Sequence, residues 1–319
     1  MKLPIVVALL LLSGLMACQM PKTDMQVEEL ESPTTLDLEA IAVAGDSVIY
    51  ACGGSRYDLG LLLRSTDAGR SWAPVQTIEL KKKLYGLWLF SADTLVMSNY
   101  DGLIYRSENS GSSWVTNQPY LWDPVLDFHF YDARHGWACG GEGFTTGVLH
   151  FSTDGGANWI ADTFDVELRD VHFFSAQYGL VAGYGLVMYT TDSGSSWQYS
   201  NAHGDFFVSF SFPEPSVGYV AGFQGSVWKT VDGGKSWKRI RNGNSLLLPQ
   251  VHLNRIAFRD RMRGYAIGPK GCFLKTTDGG TSWKRVAFSG QVDLNGIALT
   301  SNGGFLCGSG GRIYRFSDP

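Results

Sequence analysis

The sequence predicts an all-β chain: a seven-bladed β-propeller of four-stranded antiparallel blades, its last blade closed by an N-terminal strand. Three observations predict it. A corner motif returns along the whole chain, short alternating strands fill the spaces between corners, and the final unit stops one strand early.

The corner reads Thr230-Val231-Asp232-Gly233-Gly234-Lys235-Ser236-Trp237 in its fullest form. It recurs as Asp67…Trp72, Asn109…Trp114, Asp154…Trp159, Asp192…Trp197 and Asp278…Trp283. A period of about 40 residues with turn signals inside each unit marks a propeller or solenoid. The carboxylate accepts hydrogen bonds from turn N–H groups, the glycine two residues later takes a positive φ, and the tryptophan opens the next strand as an apolar plate. Every part of the motif is structural. Asp67, Asn109, Asp154, Asp192, Asp232 and Asp278 are therefore read as turn formers rather than catalytic or metal groups.

Between corners the pattern alternates as strands do. Phe210-Ser211-Phe212, Gly218-Tyr219-Val220-Ala221-Gly222, Val227-Trp228-Lys229-Thr230 and Trp237-Lys238-Arg239-Ile240 make four strands, a to d, of one unit. Such short strands bury both faces only by stacking on neighbours. In the last unit Asn295–Leu299, Gly304–Gly308 and Gly311–Phe316 give strands a to c, and the chain stops at Pro319. The open edge this leaves is expected to pair with Met25–Leu30.

Composition agrees. Apolar residues are 44% and charged residues 18%, enough for a packed core. Residues 1–200 carry 11 basic and 23 acidic side chains, whereas residues 201–319 carry 15 and 7, so opposite sides of a ring would differ in sign.

The N-terminus is a separate element. Lys2 precedes an apolar run, Ile5 to Leu12, too short for a permanent span. Leu15-Met16-Ala17-Cys18 resembles a bacterial lipoprotein cleavage box. Residues 1–17 are thus expected to be a lipoprotein signal peptide, 18–24 a tether lipidated at Cys18, and 25–319 the propeller. The expected location is the cell envelope, on a bacterial membrane, the outer one, on its periplasmic or surface side. Cys52, Cys139, Cys272 and Cys307 are read as small buried hydrophobes rather than disulfide partners, since equivalent places on separate blades lie too far apart.

Chain direction sorts the loops. If strand a starts on the top face, the b–c loops bring Arg56, Tyr57, Tyr100, Asp101, Glu142, Phe144, Tyr184, Gln224, Lys270 and Arg312 there. The d–a loops add Tyr85, Tyr120, Trp122, Phe206 and residues 242–250. Aromatic and arginine side chains suit recognition. A sialidase would need three arginines on one carboxylate, and Arg56, Arg169, Arg255 and Arg312 are the available top-face arginines, but no tyrosine–glutamate pair accompanies them. Another glycosidase needs two facing carboxylates, for which Glu142 and Asp101 are the pair. His129 and His172 share one register in consecutive units and read as a core pair, not as metal ligands. No phosphate loop is present, so no cofactor is expected. Lys238, Arg239, Lys284 and Arg285 fall on outer strands d, and Arg259, Arg261 and Arg263 on an a–b loop of the corner face. They suit an acidic partner or lipid headgroups better than nucleic acid.

The string Gly218-Tyr219…Gly222…Gly225…Lys229-Thr230-x-Asp232-Gly233-Gly234-x-Ser236-Trp237 resembles the repeat of the photosystem II stability/assembly factor family, and is similar to Asp-box repeats at large. The resemblance covers residues 36–319. It implies a seven-bladed propeller that acts as an assembly or scaffolding factor by protein binding. The resulting expectation is a monomeric, non-catalytic lipoprotein propeller that binds a protein or a glycan. The alternative is an Asp-box glycoside hydrolase or a glycan-binding module.

Overall fold

The computed structural model describes residues 20–23, 25–120, 122–245, 248–287 and 289–318. The signal segment and Cys18 lie outside the described residues. The chain is a β-propeller, its only described helix a single 3-10 turn at Ser309–Gly311.

Three sheets follow one plan. Leu38–Ala44, Val48–Ser55, Leu59–Ser65 and Ala73–Pro74 form the first, ordered from axis to rim. Leu84–Leu89, Leu95–Asn99, Ile104–Ser107 and Val115–Asn117 form the second. Val125–Phe130, Gly136–Glu142, Thr146–Ser152 and Ile160–Phe164 form the third.

The expectation of seven blades is corrected here: the hydrogen-bonded strands form six. Leu168–Phe173, Gly179–Thr190, Gln198–Glu214, Val217–Gly222, Val227–Thr230 and Lys238–Arg241 make one six-stranded sheet. The cause is the unbroken 17-residue strand Gln198–Glu214. Its first half pairs with residues 184–189 and its second half with residues 217–222, so the fourth and fifth repeat units fuse. The sequence counted corners, and corners do not report whether an outer strand runs on into the next inner one.

The last two sheets carry the N-terminus. Arg255–Phe258, Gly264–Gly268, Cys272–Thr276 and Lys284–Val286 form the fifth, and Lys22–Thr23 adds to its rim in parallel. Leu294–Thr300, Gly303–Gly308 and Ile313–Ser317 form the sixth, whose outer place is taken by Gln26–Leu30, antiparallel to Ile313–Ser317. The closing strand expected from Met25–Leu30 is therefore in place. The first and last sheets share one apolar cluster that includes Leu38, Ile41, Phe305 and Ile313.

The corners explain the repeat. In the fifth sheet Thr276 Oγ1 donates to Asp278 Oδ1 at 2.8 Å and accepts from the Gly280 N–H at 3.0 Å. The Ser282 N–H donates to the same carboxylate at 2.9 Å, and Trp283 Nε1 returns to the Gly280 carbonyl at 3.1 Å. Gly280 has φ +84°, and a Cβ there would sit 2.6 Å from Ile240 of the neighbouring sheet, so the position needs glycine twice over. Asn109 keeps the geometry: its Oδ1 accepts from the Ser113 N–H, and its amide donates to Ser113 Oγ where a carboxylate would accept. Between sheets, Trp137 stacks on Phe173 and Tyr219 on Phe258, with ring centroids 3.6 and 3.4 Å apart. Such pairs add about 1 kcal/mol each beyond their buried area. The four described cysteines are buried and free.

Candidate ligand-binding depression

Buried apolar residues mark the entry to the inner strands: Leu38, Leu84, Val125, Leu168 and Leu294 open theirs, Phe207 lies in the middle of Gln198–Glu214, and Leu253 stands two residues before Arg255–Phe258. The next residue is exceptional. Register shifts fall between Leu38 and Ala40, Leu84 and Leu87, Val125 and Asp127, Leu168 and Asp170, Phe207 and Ser209, and Leu294 and Gly296. A bulge supplies one extra residue and re-aims its side chain. Here the re-aimed residues Glu39, Tyr85, Leu126, Arg169, Val208 and Asn295, together with Asn254 just before the regular strand Arg255–Phe258, ring the mouth of the axis. With Phe144, Tyr184, Phe206, Phe223, Gln224 and Arg255 they line a depression of about 530 Å³.

Its walls divide by chemistry. Phe144, Tyr184 and Phe206 pack edge to face or tilted, with centroids 4.8 to 5.7 Å apart. Arg169 lies over the Phe206 ring at 4.9 Å and pairs with the buried Glu167 at 2.6 Å. Burial holds the Arg169 guanidinium below its usual range, offset by Glu167. Arg255 donates to the Val208 carbonyl at 3.1 Å. Opposite, Glu39 pairs with Lys83; burial still pushes the Glu39 carboxyl up. The loops are pinned by acids that precede inner strands. Glu167 accepts from the Phe144 N–H at 2.9 Å, and buried Asp205 from the Gln224 N–H at 2.9 Å. Asp293 accepts from the Lys270 N–H at 2.9 Å. Phe144 is thereby held at φ +69°, which a bulky residue adopts only under such constraint.

Below the mouth the axis narrows. Asp127 and Asp170 share one place on consecutive inner strands and face Arg255. Burial raises both carboxyls, Asp127 to about 6, and Asp170 also accepts the Phe210 N–H at 2.8 Å. One turn of the pleat deeper, His129 and His172 lie with rings 4.0 Å apart, and burial pushes His129 down to about 4. Among the described residues no group of three or more His, Cys, Asp or Glu is placed to hold a metal.

The structure sorts the residues expected on this face. Phe144, Tyr184 and Gln224 line the depression. Arg56, Tyr57, Tyr100 and Glu142 form a cluster beside it: Tyr100 donates to Glu142 at 2.8 Å, Arg56 pairs with Glu142, and the Arg56 guanidinium lies 4.7 Å from the Tyr100 ring. Tyr85 links the two, 6.4 Å from Tyr100. Asp101 sits 3.9 Å from Lys82, and Trp122, 72% exposed, donates its N–H to the Asp101 carbonyl. Lys270 and Arg312 stay apart from the depression, Arg312 paired with Glu29 of the closing strand. Of the four arginines weighed for a sialidase, Arg169 and Arg255 meet at the depression while Arg56 and Arg312 are paired elsewhere. Glu142 is committed to Arg56 and Tyr100 rather than facing Asp101. Sequence reasoning missed Glu39, Leu126, Val208, Phe223, Asn254, Asn295 and the Asp127–Asp170 pair. The signal lay in two columns at the start of the inner strand where the repeats disagree, Glu39, Leu126, Val208, Asn254 and Asn295 in one and Asp127 and Asp170 in the next.

Fold and site together define a propeller whose non-repeating residues converge on the axis. Residues 201–318 match the family described as "Photosynthesis system II assembly factor YCF48", as the repeats implied. A curated relative, the Photosystem II assembly lipoprotein Ycf48 of Synechococcus sp. (strain CC9902), is 31% identical over 124 residues, 35% of this chain. The chain spans 35% of that relative's length in the match. Among solved structures, "YCF48 bound to D1 peptide" superposes with a TM-score of 0.73 at 15% identity, covering 94% of this chain and all of that one. YCF48 from Cyanidioschyzon merolae gives 0.70 at 17% identity, covering 91% and 98%. At these identities the superpositions show the fold.

Proposed function

We propose that the chain is an exported, membrane-anchored scaffold that holds a peptide segment of a partner protein in the axial depression. One observation carries this reading. A bulge at the same place in successive inner strands turns chemically different side chains toward one mouth, beside a rim of packed aromatics. Aromatic and arginine side chains in a part-desolvated pocket are what binding hot spots are made of. Arg169 and Arg255 supply charge for acidic or carbonyl groups of a peptide, and Glu39 opposes them, so an extended chain would be read with direction. The solved structure bound to a D1 peptide supports a peptide as ligand for this fold, and the relative named a lipoprotein supports the anchor at Cys18. Phe144, Tyr184 and Gln224 act directly in this reading, with Arg56, Tyr57, Tyr100, Glu142, Asp101 and Trp122 as a flanking shelf.

The test places a photo-crosslinking side chain at position 184 in cells and, as a control, at position 195 on the corner face. Adducts mapping to one segment of a membrane protein, seen only from position 184 and lost in Arg169→Ala/Arg255→Ala, are expected. Equal adducts from both positions would refute the reading.

A further inference from the structure

The N-terminal residues do not leave the propeller freely. The Arg285 N–H donates to the Pro21 carbonyl at 2.8 Å, and Lys22 stands in register with Arg285. Met20 packs into the apolar seam between the double-width sheet and the fifth sheet, against the cluster that holds Ile256, Trp283 and Ile240. Cys18 is two residues upstream, so its sulfur can lie only about 7 Å of backbone beyond Met20. Any acyl group on it is delivered to this rim.

The same rim carries unneutralised charge. Lys22, Lys238, Arg239 and Lys284 are exposed there. Among the described residues none of the four is ion-paired, and Arg285 spends its guanidinium on the carbonyls of Lys270 and Gly271. Many cations elsewhere on the surface are matched, as Arg56 is with Glu142, Arg261 with Glu214, Arg263 with Asp260 and Arg315 with Glu28, while the exposed and unpaired Arg70, Arg134 and Lys270 stand on three different sheets. Ile240, on the outer strand of the double-width sheet, packs against the corner at Gly280 that leads into Lys284–Val286.

We propose that this rim, Lys238–Arg241 with Lys284–Val286 and Lys22, is a docking surface for anionic lipid headgroups. Beside a lipid anchor, basic side chains add electrostatic attraction to anionic headgroups. The anchor's place rests on the lipoprotein reading, while headgroup binding rests on the cations alone. With its rim on the bilayer, the propeller's axis runs along the membrane plane. The depression then opens sideways, toward segments of neighbouring membrane proteins.

The experiment uses the chain from residue 18 with Cys18→Ser, so that no acyl group contributes, and flotation on phosphatidylcholine vesicles with or without phosphatidylglycerol. Flotation with anionic vesicles only, reversed by about 0.5 M salt, is expected. The variant Lys238→Glu/Arg239→Glu/Lys284→Glu should lower the bound fraction more than about tenfold with unchanged thermal unfolding, whereas Arg70→Glu on the first sheet leaves it intact. Lys22→Glu/Lys284→Glu serves if the triple variant fails to fold. No flotation of the parent, or equal flotation of the variants, overturns the proposal. So does binding of polyglutamate without flotation, which would mark an acidic protein site. Mass spectrometry of the exported chain separates the two readings: an unmodified Cys18 with flotation retained would end the lipoprotein reading and leave this one standing.

Discussion

The two faces of the propeller follow opposite rules. On the corner face five Ser/Thr–Asp corners and one Ser–Asn corner repeat one set of hydrogen bonds, and each side chain serves the turn that contains it. On the depression face the repeats diverge: Glu39, Tyr85, Leu126, Arg169, Val208, Asn254 and Asn295 occupy one structural place, and only the last two agree. Repetition marks what the fold needs at every turn, and its loss marks what a ligand would need once.

Substitutions test that division. Trp237 is buried, donates to the Gly234 carbonyl at 2.9 Å and packs on Phe210 and Phe212. Trp237→Ala should cost about 3–5 kcal/mol in urea unfolding. A cost under about 1 kcal/mol would mean that the corners are ornamental. A smaller effect belongs to the axis. Burial pushes the folded-state carboxyl of Asp127 up to about 6, above its usual 3.8, with Arg255 and the hydrogen bond to Asp170 opposing. A raised carboxyl adds stability that is complete below its unfolded value and is lost as pH rises through the folded one. Stability should therefore fall between about pH 4 and 6 in the parent, and Asp127→Asn should shrink that fall to the part that belongs to Asp170 and gain roughly 1–3 kcal/mol at pH 7. Unchanged pH dependence in Asp127→Asn would refute a titrating Asp127 at the axis. The smallest effect is expected at Tyr184, half-exposed at the depression: Tyr184→Ala should move stability by no more than about 0.5 kcal/mol while weakening co-purification of the partner. Loss of fold there would blur the contrast between faces.

What the sequence revealed follows from the same contrast. The corners were readable because Asp, Gly and Trp each have one physical task at a fixed spacing, and because Asn109 can do nearly what an aspartate does. The closing strand was readable because a sheet lacking its outer strand demands one. The blade count was not, since Gln198–Glu214 passes through Gly204 without the break that its composition suggested. Nor was the ring of axial residues. A bulge is a shift of hydrogen bonds between two strands, and no local residue preference announces it. Phe144, Tyr184 and Gln224 were found through loop position, whereas Arg56 and Glu142, chosen on the same grounds, proved to satisfy each other.

The pairing of Glu28 with Arg315 joins residues 287 positions apart, and the strands that carry them interlock along their length. A polypeptide is made from its head to its tail. The head must therefore wait, unpaired, until the final segment has been made, and only then does the circle latch. Clipping a few residues from either end would undo the same latch, so both termini share one fate in quality control.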